Sequence, residues 1–248
     1  MKVLAIETAT SCLSVAVLDE ERVLATCEKE ATGRHAREII PAIDRVLHSA
    51  GCALSDLDGF AVSIGPGSFT GLRVGLATVM GFRMITGLPV AAVSTLEAMA
   101  WNLREMPLLN SHCVCPVLKC RHGEVYWASY QWRDRTTLIS RGDDERVGSL
   151  ENLAESVAEP AVFYGEGWEA NRDALRSIFT LRKQSIIEAP AEAGRASAAS
   201  VGLAGIERLM RGEVASTGLA PRYIQRAEAE LVMERRTAGC GRAQAGMV

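Results

Sequence analysis

Short apolar runs with strand-like alternation open the chain. Lys2 to Ile6, Cys12 to Asp19 and Arg22 to Glu30 are three of them, separated by the polar turn Thr8-Ala9-Thr10-Ser11 and the acidic turn Asp19-Glu20-Glu21. Runs so closely spaced predict an antiparallel meander. From Arg34 to Ala50 the period lengthens: Ala36, Ile39, Ile40, Ile43, Val46 and Leu47 fall at helical spacing, with Gly51 as a stop. Pro41 inside that stretch predicts a kink or a helix restart. Gly59 to Gly65 reads as a buried strand, followed by a glycine loop and a helix from about Leu72 to Ile85. Leu88 to Ser94 is a further strand and Thr95 to Leu103 a further helix. Such an order suggests a mixed sheet with helices on its faces.

The pattern breaks near Arg104 to Asn110, where a second lobe begins. Its strand Cys113–Lys119 turns through "CRHG" into Glu124 to Trp132, a hairpin. Arg133 to Ser149 is polar, a loop or edge strand, and Ala161 to Trp168 is a strand with a second glycine turn. Ala196 to Arg211 reads as an amphipathic helix with Ala199, Leu203, Ile206 and Met210 on one face. The expected division is a first lobe 1–103, a second lobe 104–195, a helix 196–212 returning to the first lobe, and a segment 213–248, flexible after about 230. No internal repeat is visible.

Composition narrows the classes. The 248 residues are 48% hydrophobic and 23% charged, with a formal net charge of -3. A chain of that balance is not a polyanion binder as a whole. The apolar start is interrupted at Glu7, and no run is long enough to span a membrane, so the expectation is a cytoplasmic protein with no membrane partner. Seven cysteines form no C-x-x-C pair. The stretch "HCVCPVLKCRH" holds residue types that zinc uses, but Cys113 and Cys115 alternate with Val114 as a strand does. That favours buried strand cysteines over a metal site. The four histidines have no metal spacing and no nucleophile beside them.

Two stretches could handle phosphate. "SIGPGSFTGLRVG" places Gly65, Gly67 and Gly71 between a strand and a helix, where backbone amides point at an anion. The spacing fits neither the dinucleotide nor the P-loop motif, and the same loop also serves as a plain turn from sheet to helix. In "IETATSCLSVAVLD", Glu7, Thr8 and Ser11 sit on a strand-turn-strand unit. It could wrap a phosphate beside a hydrated metal, or simply close local hydrogen bonds.

Together, "LAIETATSCLSVAVL", "HAREIIPAIDRVL", "SIGPGSFTGLRVG", "LPVAAVSTLEAMA", "RHGEVYWASY" and "PRYIQRAEAE" resemble the bacterial TsaB (YeaZ) family, in the family's order and across nearly the whole chain to about Glu230. The resemblance implies an α/β protein of the actin/Hsp70/sugar-kinase (ASKHA) fold, with two lobes each built on a mixed sheet flanked by helices. It implies a non-catalytic partner of TsaD, which transfers a threonylcarbamoyl group to adenosine-37 of ANN-decoding tRNAs with the ATPase TsaE in the same complex. TsaD carries a His-x-x-x-His metal pair; the equivalent stretch here is "VSTLEAM", with Thr95 and Met99 at those positions. Neither is a good ligand for a hard or borderline metal. No catalytic residue, metal or cofactor is then expected. Glu7, Thr8, Ser11, Gly65, Gly67 and Gly71 remain as a vestigial nucleotide loop with room for weak ATP or ADP binding, at most in the complex.

The resemblance further implies that the two helices of the first lobe meet TsaD in a four-helix bundle and pair two copies of this chain when TsaD is absent. The residues placed at that contact are His35, Ile39, Ile43, Leu47, Arg73, Leu76 and Met80. TsaE and, indirectly, tRNA complete the partners. The family's Asp-x-Arg before "GEVY" is Lys119 and Arg121 here, which reverses a charge. The alternative function is a nucleotide-dependent phosphotransferase or ATPase of the same fold, which would need a catalytic Asp between the lobes.

Overall fold

The N-terminal runs form the expected meander. β1 (Lys2–Glu7), β2 (Cys12–Asp19) and β3 (Arg22–Glu30) pair antiparallel in that order. The coordinates are a computed structural model describing residues 1–224 apart from 107–111, 122, 135, 142–144, 158, 159 and 217. The tail expected to be flexible after about 230 lies outside the described residues.

Helix α1 (His35–Ala50) runs through Pro41 without the expected restart. Pro41 is exposed, so the carbonyl left without its helical donor can face water. Gly51 closes the helix at φ 64°, its amide reaching the His48 and Leu47 carbonyls. β4 (Gly59–Ser63) lies parallel to β1, and α2 (Phe69–Thr86) follows. The helix starts three residues earlier than its apolar periodicity suggests, because Ser68 caps it by accepting the Gly71 N–H at 3.2 Å. β5 (Val90–Val93) pairs parallel with β4, and Ser94 caps α3 (Thr95–Trp101) in the same way.

The first sheet is ordered β3-β2-β1-β4-β5. One face packs Leu4, Ile6, Val15 and Phe60 against Ile39 and Ile43 of α1 and Leu76 and Val79 of α2. Its opposite face carries Val3, Ala5, Ala16 and Ala61, part of a core that continues through α3 into the second lobe.

That lobe contains β6 (Cys113–Lys119), β7 (Val125–Trp127), β8 (Tyr130–Trp132), β9 (Leu138–Ser140), β10 (Arg146–Gly148), α4 (Leu150–Ser156), β11 (Ala161–Tyr164), α5 (Glu166–Leu181) and β12 (Ile186–Glu188). The run Glu124 to Trp132 is two strands rather than one: β7 sits between β6 and β10, while β8 pairs with β6 and β9. The path β10-β7-β6-β11-β12 repeats the order of the first sheet and the sense of each pairing. In both lobes the strand beside the central one is followed within two residues by a glycine with φ +108°, Gly65 and Gly165. The lobes are thus a structural repeat, carried by pairing rather than by similar residues.

Cys113, Cys115 and Val117 share one face of β6, and Val114 and Leu118 the other. Cys113 and Cys115 are free and buried. Among the described residues no cluster of three His, Cys, Asp or Glu side chains collects to hold a metal.

Helix α6 (Ala198–Met210) returns to the first sheet. Its buried face is Ala198, Val201, Gly202, Ala204, Gly205 and Leu209, with Ile206; Met210 is 71% exposed. The expected face, built on Ala199, Leu203, Ile206 and Met210, is displaced because the sheet selects small residues. A Cβ on Gly205 would lie 2.4 Å from that of Ala61. Beyond α6, the Ala215 amide donates to Val90 O of β5 at 2.8 Å and the Arg222 amide to Ile64 O, just past β4, at 2.7 Å, which ties the returning chain to the first sheet. No described helix is long and apolar enough to cross a membrane.

Candidate functional site: a cleft between two lobes and an apolar helix face

The ends of β1 and β4 bring the two phosphate-like stretches together. Glu7 ends β1 fully buried, and its carboxylate accepts the Ala9 N–H. Burial pushes the carboxyl up from its ordinary 4.5 to about 7, with the Ala9 amide, and more weakly the nearby Ser63 hydroxyl and Thr8 amide, pulling it back down. Its second oxygen is buried without a partner.

The glycine loop packs directly onto the β1–β2 turn. The Ser68 N–H donates to Ala9 O at 2.6 Å. A Cβ on Gly67 would lie 2.3 Å from Ala9 O, one on Gly71 2.1 Å from Thr8 O, and one on Gly75 2.4 Å from Thr8 Oγ1. These glycines let two backbones touch. The amides of Ser68 and Gly71, which a phosphate would need, are spent on Ala9 O and Ser68 Oγ.

Gly71→Ala should therefore cost about 1–3 kcal/mol in urea unfolding, as overpacking against a fixed carbonyl does. Gly81→Ala meets nothing within 4 Å and should be stabilising by up to about 1 kcal/mol. Equal effects at both positions would refute the packing role.

Outside this interlock, a cavity of about 650 Å³ lies between the lobes. Ser11, His35 and Gly67 line its first-lobe wall; Lys119, Arg121 and Glu166 line the other. The Glu166 carboxyl is raised by burial, with the Lys119 charge and amide pulling it back down. His35 is 7% exposed and its Nε2 has no partner.

Thr95 and Met99 lie one turn apart on α3, both fully buried. The Thr95 amide donates to Gly65 O at 2.9 Å, and the methyl of Met99 packs 2.8 Å from where a Cβ on Gly165 would stand. A hydroxyl and a thioether sealed against a glycine turn do not fit a divalent metal.

The residues expected at a partner surface divide in two. Ile39, Ile43, Leu76 and His35 are buried, the first three in the first lobe's own core. In this structure they point inward, so other residues of the same helices make up the outward surface. Leu47 and Met80 are half-buried and Arg73 is exposed. What the helices present outward is a different set: Ile40 on α1, 53% exposed, and Phe69, Ala77, Met84 and Ile85 on α2, with Met84 and Ile85 above 80%. α2 has only two charged residues in 18, Arg73 and Arg83. Both are engaged by the C-terminal segment: Arg73 bonds the Tyr223 hydroxyl, and Arg83 the carbonyls of Ala215 and Ser216. Sequence periodicity missed this face because a helix apolar all round does not declare which side is covered.

The family described as TsaD: tRNA N6-adenosine threonylcarbamoyltransferase matches residues 28–232. The tRNA threonylcarbamoyladenosine biosynthesis protein TsaB of Escherichia coli (strain K12) is 35% identical over 68% of this chain and 73% of its own length. The chain belongs to the TsaB (YeaZ) family. The TsaB protein of Bacillus subtilis (strain 168) is 29% identical over 93% of this chain and 96% of its own. A solved structure, YeaZ from Pseudomonas aeruginosa, superposes with a TM-score of 0.72 at 29% identity, over 90% of this chain and 99% of the other. A ROK hexokinase from Thermus thermophilus, at 14% identity and a TM-score of 0.50 over 86% of this chain and all of its own, shares the fold alone. The two lobes of this TsaB-family chain are of the actin/Hsp70/sugar-kinase kind.

Proposed function

We propose that this chain is the non-catalytic subunit that binds and activates TsaD in the complex adding the threonylcarbamoyl group to adenosine-37 of ANN-decoding tRNAs. The observation that carries the reading is the pair Thr95 and Met99, which stand sealed in apolar surroundings where TsaD has metal-binding histidines. The interlocked glycine loop supports it, because its Ser68 and Gly71 amides serve the protein's own Ala9 carbonyl and Ser68 hydroxyl. The chain then needs no cofactor of its own. The exposed apolar residues of α1 and α2 support a partner surface, since large apolar side chains such as Ile40, Met84 and Ile85 left open to water suit a covering partner. In this reading TsaD covers that face, a second copy of the chain covers it when TsaD is absent, TsaE joins them, and tRNA is held chiefly by TsaD.

The test is reconstitution of the modification from TsaD, TsaE, ATP, tRNA and threonylcarbamoyl-AMP. Modification is expected only when this chain is added, with no turnover by the chain alone. Undiminished modification in its absence would sink the proposal. Steady ATP hydrolysis by the pure chain, lost in Glu7→Ala, would replace it with the phosphotransferase reading.

A further inference from the structure

Two adjacent residues near the end of the described chain, Arg222 and Tyr223, reach in different directions. The Tyr223 ring stacks on Phe69 at the exposed start of α2, with centroids 4.8 Å apart, and its hydroxyl accepts the Arg73 Nε–H at 2.9 Å. The Arg73 guanidinium lies 3.7 Å from the Phe69 ring centroid, so the three side chains form one cluster. The Arg222 side chain reaches the second lobe instead, its Nη1 3.6 Å from Oε2 of Glu145. The other oxygen of Glu145 accepts the Ser94 hydroxyl, and Ser94 Oγ accepts the Glu97 N–H at 3.2 Å to cap α3. Backbone contacts tighten the junction. The Arg222 amide donates to Ile64 O, and a Cβ on Gly65 would stand 2.8 Å from Arg222 O.

Glu145 brings the second lobe into this chain of contacts, and its carboxylate is 5% exposed. A charge so placed holds its partners with little screening. The Phe69–Arg73–Tyr223 cluster is open to solvent, with Phe69 38% and Tyr223 40% exposed. One peptide joins Arg222 to Tyr223, and the Arg222 amide is itself held by Ile64 O, so a change at Tyr223 reaches Arg222 through the two torsions flanking that peptide.

We infer that Arg222 and Tyr223 form a latch coupling the exposed first turn of α2 to the joint between the lobes, through Glu145 and the Ser94 cap of α3. With the latch closed, the glycine loop, the start of α3 and the second lobe are held as one unit. Release of Tyr223 from Arg73 loosens the Glu145 tie and lets the lobes move about the cleft. The coupling is reciprocal, so loosening Glu145 frees Tyr223 in turn.

The test uses the full chain and reads amide hydrogen exchange. Tyr223→Phe keeps the stack on Phe69 and removes only the acceptor of Arg73. It should speed exchange at the Thr95 and Glu97 amides about three- to tenfold, although neither touches Tyr223. Glu145→Gln should do the same, and the double variant should be no faster than either single one. Unchanged exchange in the central strands β1 and β4 is the check that each variant is folded, and Arg222→Gln carries the same test if Glu145→Gln is not. Effects of Tyr223→Phe confined to Phe69 through Arg73, or effects that add in the double variant, would overturn the latch.

Discussion

Ile43→Glu should cost about 5 kcal/mol, because it removes a fully packed aliphatic side chain and leaves a carboxylate without a partner in the core. Domains of this kind are stable by roughly 5–15 kcal/mol, so little folded protein is expected. Ile43 is 3% exposed and packs among the side chains of α2 and the first sheet. Ile40 sits three residues earlier on the same helix and is 53% exposed. Ile40→Glu should stay within about 0.5 kcal/mol of the parent, the usual range for an open surface position. Urea unfolding of the two variants separates them. The pair also discriminates the proposed partner surface: Ile40→Glu should keep its circular dichroism spectrum and lose co-purification with TsaD. If Ile43→Glu folds normally and alone loses the partner, the assignment of inner and outer faces is reversed.

That contrast marks what was legible in the sequence. α1 was found, to within one residue of its start, because its apolar residues recur at the helical period and Gly51 ends it. Which of its isoleucines face outward was not, since Ile39, Ile40 and Ile43 are chemically alike and only the sheet decides among them. The face of α6 was misread for a related reason. Its contact is built from Gly202, Gly205, Ala198 and Ala204, whose value is close approach rather than hydrophobicity. α5 was not anticipated at all. Gly165 and Gly167 obscure its start, and Asn171 departs from helical geometry at φ -122° within it. The glycine loop shows the limit on the functional side. Its composition fitted an anion cradle and a plain turn equally well, and only the position of the Thr8 and Ala9 carbonyls distinguishes a backbone seam from an open cradle. The buried state of Glu7 was likewise out of reach, because one acid at the end of an apolar strand reads the same whether or not water reaches it.

Glu7→Gln should raise stability by about 3 kcal/mol at pH 8 and change it little at pH 4. The folded carboxyl titrates at about 7, and the unfolded one at its ordinary 4.5. Below 4.5 both states hold the proton, so Glu7 opposes folding by nothing. Between 4.5 and 7 the unfolded chain releases its proton while the folded chain keeps it, so stability falls as pH rises. Above 7 the full penalty is present, about 2.5 pKa units at 1.36 kcal/mol each, or roughly 3 kcal/mol. Glutamine retains an oxygen to accept the Ala9 N–H and carries no charge to desolvate. The difference between parent and variant, taken from urea unfolding across pH 4 to 8, should therefore open through that window and then level off, whatever the exposed acids do in both proteins. Parallel curves would mean that water or a cation reaches Glu7 and that the seam between the β1–β2 turn and the glycine loop is open.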